Sequence, residues 1–245
     1  MSTGSVANGN RETRARAGRV TAHAALPQDE AEARALLQQA RRRLMRGDPR
    51  LARVMKALGP CGYARRPGGF ATLFQAILRQ QLSGKAAATI AARLEALCGN
   101  ITAEGVASLD DAVFAAAGVS RQKRDYLRGL AAAALAAPGL FTGLEQLSDE
   151  AAVEALTALK GIGRWTADMY LMFSLGRLDV LPLGDVSIRA AIAEIYGIPR
   201  EAKAAKLIAL AEPWRPFRSV ACWYFYAHLD RARSAASRVK PIADT

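Results

Sequence analysis

From residue 27 onward, apolar residues recur every third or fourth position, the spacing of helices that bury one face. The pattern predicts helices over 29–45, 70–81, 83–98, 109–117, 120–136, 149–160, 164–175, 185–196, 201–211 and 216–228. Their ends carry matching chemistry. The first begins with acids and ends with arginines, as the helix macrodipole prefers. Ser83 and Ser120 stand at N-cap positions, and Ser108 with Asp111 reads as a capping box. Gly99, Gly118 and Pro138-Gly139 stop the helices before them. Alternating patterns are nearly absent, and 178–181 is the best short strand candidate. The expectation is an all-α protein with short connections, in which the loop at 138–147 divides two helical lobes.

Residues 1–26 lack the apolar period and carry Arg11, Arg14, Arg16 and Arg19 among small polar residues. They are expected to form a disordered basic tail ahead of a helical unit spanning 27–245.

The most specific stretch is LKGIGRWTADMYL, followed by VLPLGDVSIRAAI. Gly161 and Gly163 mark a tight turn between two helices, where glycine permits positive φ and close backbone approach. Leu159 and Ile162 would pin this turn, and Thr166 with Ala167 would keep the second helix close. Amides left free at that helix start suit a phosphate, and a monovalent cation held by the carbonyls of Gly161 and Gly163 would bridge to it. A plain helix–turn–helix corner has the same short signature. Asp185 lies 22 residues beyond Gly163, just before the next helical pattern. Taken alone it is explained as an N-cap. A fixed carboxylate is also what an oxocarbenium-like sugar needs as its base departs.

Charge adds a direction. The chain has 245 residues, 34 Lys+Arg against 22 Asp+Glu, and a net charge of +12, which favours a polyanionic partner. Cys61, Cys98 and Cys222 are too few and too scattered for a disulfide framework, a zinc site or an iron–sulfur cluster. His23 and His228 are far apart, which disfavours histidine-based metal or triad chemistry. No apolar run is long enough to span a bilayer, and the N-terminus has no apolar signal core.

Together the two motifs resemble the helix–hairpin–helix DNA glycosylase superfamily. AILRQQLSGKAA (76–87) and WRPFRSVACWYFY (214–226) are similar to its alkylation-repair branch, DNA-3-methyladenine glycosylase II, in a compact form without the β domain of some members. The resemblance covers roughly residues 50–230. It implies a two-lobed helical fold with the active-site cleft between the lobes, double-stranded DNA containing alkylated bases as partner, no cofactor and a monomeric chain. It also implies a cytoplasmic, nucleoid-associated location if the source is bacterial, or a nuclear one if eukaryotic. Bifunctional relatives place a Schiff-base lysine two residues after the second glycine. Trp165 occupies that position, so the resemblance implies hydrolysis without strand cleavage.

The same resemblance distributes roles. Asp185 would stabilise the sugar cation and handle water. Trp165 and Tyr226 would wall the flipped base, with Met169 one turn from Trp165 where a relative can have tyrosine. Gly161, Gly163 and Thr166 would hold the DNA backbone. Gln81 or Leu82 would fill the gap left by the base, the alternative being Leu82 in the core and Gln80 capping a helix end. Lys123 stands in a first helical turn, where a cation opposes the macrodipole, and is the leading candidate for a phosphate contact there; a solvated face is the other reading. Arg218 has a structural or a DNA-binding reading. An aromatic wall favours a cationic purine. Such a base leaves readily, which suits a site with neither a nearby histidine nor a second carboxylate. A non-catalytic DNA-binding or damage-sensing module is the alternative, disfavoured because a pure binder has no use for an anion beside a polyanion.

Overall fold

The computed structural model describes residues 24–82 and 84–238. His23 and most of the expected tail lie outside them.

The described chain is helical: α1 (Glu30–Gly47), α2 (Pro49–Leu58), α3 (Phe70–Arg79), α4 (Gly84–Cys98), α5 (Ala103–Ala107), α6 (Asp111–Ala117), α7 (Arg121–Ala136), α8 (Leu140–Gly143), α9 (Asp149–Thr157), α10 (Arg164–Phe173), α11 (Val186–Tyr196), α12 (Ala204–Ala211) and α13 (Arg218–Arg238). Helices α3, α4 and α5–α7 pack among themselves. The C-terminal helices α11 and α13 return to the N-terminal pair α1 and α2, while α9 and α10 form the hairpin between the two groups. One continuous hydrophobic core runs through both groups.

Three helices, α2, α5 and α8, fall outside the predicted set. For α2 the signal is local: Asp48 accepts from the amides of Arg50 and Leu51, and Pro49 holds the first helical position. Helix α6 starts later than the capping-box reading places it. Ser108 ends α5 instead, its hydroxyl donating to the Gly105 carbonyl. Residues 138–147 are largely helical, forming α8 and a 3₁₀ turn over Leu144–Gln146. The tail boundary also moves. Leu26 is buried, and its amide bonds the Gly176 carbonyl at 2.8 Å.

The strand expected at 178–181 is instead an irregular buried segment whose backbone is satisfied from several directions. Leu178 donates to the Ala24 carbonyl and accepts from the Ser219 amide, and the Val180 amide donates to Ser219 Oγ. Arg177 reaches the carbonyls of Leu144, Glu145 and Leu147. Arg218 Nε donates to Asp179 Oδ1 at 2.7 Å and Arg215 Nη1 to Asp179 Oδ2 at 2.6 Å, so Arg218 is structural. Such anchoring leaves the segment one conformation, and that conformation delivers Asp185 to the start of α11. Beneath it, Trp214, Tyr224 and Phe225 are fully buried. Asp48 Oδ2 ties this aromatic core to α2 by accepting from Tyr196 and Trp214.

Candidate active site and nucleic-acid interface

The hairpin turn is built from both sides. The Ile162 amide closes on the Leu159 carbonyl at 3.0 Å, and Ile162 is buried. Gly161 has φ +90°, and a Cβ there would lie 2.6 Å from the Tyr126 ring. Gly163 differs: its φ of −90° is open to any residue, and a Cβ would meet nothing within 4 Å. Its value is open space before α10, whose N-terminus has no side-chain cap. That uncapped end is suited to an anion. The Thr166 side chain is buried, so at the helix end Thr166 offers its amide rather than its hydroxyl.

A second anchor holds the turn to α3. Gln80 Nε2 donates to the Gly161 carbonyl at 2.7 Å. That carbonyl, expected as a cation ligand with Gly163, already has a partner. Among the described residues no three His, Cys, Asp or Glu side chains converge as a metal site.

Lys123 has a different job from the one expected. Its ammonium donates to the carbonyls of Leu78 at 2.7 Å and Gln80 at 2.5 Å, closing the C-terminal end of α3. Desolvation lowers its pKa. The carbonyl end of a neighbouring helix explains the cation at an unfavourable end of α7.

Directly after this clamp, Gln81 is the one non-glycine with positive φ (57°) among the described residues. A left-handed conformation costs a residue with a Cβ roughly 1–2 kcal/mol, and strain of this kind collects at functional sites. Gln81 and Leu82 are both exposed beside the hairpin, so Leu82 is not a core residue.

Asp185 is buried at the head of α11. One oxygen is the N-cap: Oδ1 accepts from the Ile188 amide at 2.8 Å. The other reaches toward the hairpin, Oδ2 accepting from Trp165 Nε1 at 2.6 Å. One oxygen therefore caps the helix while the other meets the indole N–H at the hairpin. Trp165 is 50% exposed. Tyr226 comes in from α13, its hydroxyl 3.6 Å from Met169 Sδ and its ring 6.2 Å from that of Phe173. Burial, followed by the Asp185 charge, pushes the Tyr226 phenol up, so it stays a neutral O–H. The fold thus brings together Asp185, Trp165, Met169 and Tyr226 from three helices.

Sequence reasoning missed four contributors. Tyr126 underlies Gly161. Val186, next to Asp185, is an exposed apolar side chain at 74%. The other two are a pair: Arg164 Nε donates to Asp168 Oδ1 at 2.9 Å. Asp168 is buried, and its charge acts on Tyr226. A second carboxylate therefore does stand near the pocket, contrary to expectation. Burial raises its pKa, while Arg164 pulls it back. The signal was present in the spacing, since 165, 168 and 169 share one helical face.

Known proteins are similar to this chain in sequence and in fold. Residues 74–216 match the HhH-GPD superfamily of base excision DNA repair proteins. DNA-3-methyladenine glycosylase 1 of Schizosaccharomyces pombe is 33% identical over 204 residues, covering 80% of this chain and 87% of that protein. A DNA-3-methyladenine glycosidase structure from Bacillus halodurans superposes with a TM-score of 0.68 at 36% identity, covering 78% of this chain and 89% of the other. The 3-methyladenine DNA glycosylase of S. pombe in complex with abasic DNA gives 0.67 at 34% identity, covering 77% and 95%. A helix–hairpin–helix turn followed by a carboxylate at a helix head, with sequence similarity on this scale, leads to one conclusion: the chain belongs to the HhH-GPD superfamily of base excision DNA repair proteins.

Proposed function

We propose that this protein is a monofunctional DNA glycosylase of the 3-methyladenine type II kind, which flips alkylated purines out of duplex DNA and releases them by hydrolysis. The observation that carries the reading is the Asp185 carboxylate, buried, held by one backbone and one indole donor, and set beside Trp165, Met169 and Tyr226.

The chemistry follows from that geometry. An alkylated purine such as 3-methyladenine or 7-methylguanine carries positive charge in the duplex, so the base is already a good leaving group. As the N-glycosidic bond breaks, its electron pair goes to the base and positive charge grows on the sugar at C1′. Asp185 faces that charge with a carboxylate that needs no reorganisation. Water then forms the new bond to C1′, and its proton passes to Asp185 and on to solvent. Trp165 and Tyr226 offer π faces to the cationic ring. Extraction of the base leaves a gap for Gln81 or Leu82. The uncapped start of α10 receives a phosphate of the same strand.

Lyase chemistry needs an amine at C1′. Position 165 is tryptophan, and the Lys123 ammonium is committed to two carbonyls. The relatives named above as 3-methyladenine glycosylases support the substrate class.

The test is base release from methylated duplex DNA by the wild type and Asp185→Asn. The expected result is free methylated purine, no strand nicking without alkali, and a loss of 100-fold or more in the variant, roughly the scale of removing a group that faces transition-state charge. DNA binding should persist. Equal release by the variant would falsify the role of Asp185. Binding without release by the wild type would favour the damage-sensing alternative.

A further inference from the structure

Two charged side chains of the site take no part in the reaction as described. Arg164 occupies the first position of α10, directly after Gly163, and its side chain is 70% exposed, whereas that of Asp168, one turn on, is 4% exposed. An i,i+4 ion pair on a solvated helix face is ordinary. This one is lopsided: its acid is buried and its cation stands in solvent. A carboxylate in that position is costly to keep unless its charge has a use.

Its surroundings suggest the use. Position 168 shares a helical face with Trp165 and Met169. Its charge acts on Tyr226 and on Cys222, and both of these also feel Asp185. Asp168 therefore belongs to the electrostatics of the base pocket. Arg164 stands in α10's first turn, at the uncapped helix end where a phosphate would dock. A guanidinium meets a phosphate with two parallel hydrogen bonds, and only one bond to Asp168, from Nε, is present now.

We propose that DNA docking transfers Arg164 from Asp168 to a backbone phosphate at the hairpin. Asp168, left without its cation, then becomes the counter-charge that selects a cationic alkylated purine over a neutral base. A desolvated carboxylate must recover either a cation or a proton. A cationic purine supplies the charge; a neutral base leaves the group to protonate and gains nothing from it. Asp185 acts on the sugar and Asp168 on the base, so the two carboxylates divide the work. The inference rests on the alkylpurine reading above.

The experiment compares single-turnover base release from two duplexes that differ only in the lesion, 7-methylguanine or hypoxanthine, at slightly acid pH where the first is cationic and the second neutral. Asp168→Asn is isosteric. It should slow 7-methylguanine release about 10-fold, the scale of one charge-assisted contact, and leave hypoxanthine release within about twofold. Arg164→Gln should keep the wild-type lesion ratio while weakening DNA binding and reducing the salt slope by about 0.9, one phosphate contact. Equal slowing of both lesions by Asp168→Asn, or of neither, overturns the selection. A collapse of the ratio in Arg164→Gln overturns the exchange, since Arg164 would then only position Asp168. If the wild type releases neither base, the alkylpurine reading itself falls.

Discussion

Replacing Gly161 by alanine tests how the hairpin is held. The added Cβ would sit 2.6 Å from Cγ and Cδ2 of Tyr126 and 2.9 Å from its Cβ, at a backbone φ of +90°. Two penalties follow. Holding an L-residue at positive φ costs roughly 1–2 kcal/mol. Forcing a methyl into occupied space costs roughly 1–3 kcal/mol more. Relaxation is difficult, because Tyr126 is held by Gln122 at 2.9 Å and the turn is tied to Gln80 at 2.7 Å. The sum, about 2–5 kcal/mol, predicts a drop in Tm of roughly 5–15 °C for a chain of this size. The assay is thermal unfolding together with fluorescence anisotropy on a labelled duplex, which should weaken because the phosphate-facing turn is displaced. Adding Tyr126→Leu should return the steric share and leave the φ share. A Gly161→Ala protein that melts within about 2 °C of wild type would refute the account of the turn.

Other perturbations separate the remaining parts of the site. Lys123→Met should lower stability by about 1–3 kcal/mol by leaving the Leu78 and Gln80 carbonyls without their donor, with no change in the salt dependence of DNA binding; a reduced salt slope would restore the phosphate role. Trp165→Phe keeps an aromatic wall but takes the donor from Asp185 Oδ2, a bond to a charged group worth about 1.5–3 kcal/mol. Base release should fall roughly 10- to 100-fold with DNA binding unchanged, and a rate within twofold of wild type would show that the indole N–H does not position the carboxylate. Asp168 gives a stability prediction with a definite sign. Its folded pKa is raised above 3.8, so the folded chain holds that proton more tightly than the unfolded chain, and stability falls as pH rises above this value. Asp168→Asn removes that fall. Melting at a series of pH values should show the variant equal to wild type near pH 3.8 and more stable at neutral pH, and a less stable variant at neutral pH would contradict it.

Helix identity was legible because most helices here bury one continuous face, and a 3.6-residue period survives without any knowledge of neighbours. Helix α5 escaped because its five residues offer barely more than one turn of pattern. Helix α2 is as long as α3, and its Asp48-Pro49 start was the cue passed over. The segment 178–181 read as a short strand because three of its four residues are apolar, and burial alone cannot say whether strands or side chains will satisfy its backbone. Here Ser219 and the start of α13 do so.

For the site, the chain alone determined the hairpin, the tryptophan two residues after its second glycine, and the aspartate at the head of a helix. Each is local chemistry: a glycine that tolerates positive φ, an amine that is absent, a carboxylate that caps. Only the tertiary structure decided which charges meet. It turned Lys123 onto the end of α3, buried Thr166 and Asp168, and tied Gln80 to the Gly161 carbonyl. A charged side chain has no partner until folding removes water and brings a distant group within hydrogen-bond reach, and nothing in a one-dimensional pattern records that distance.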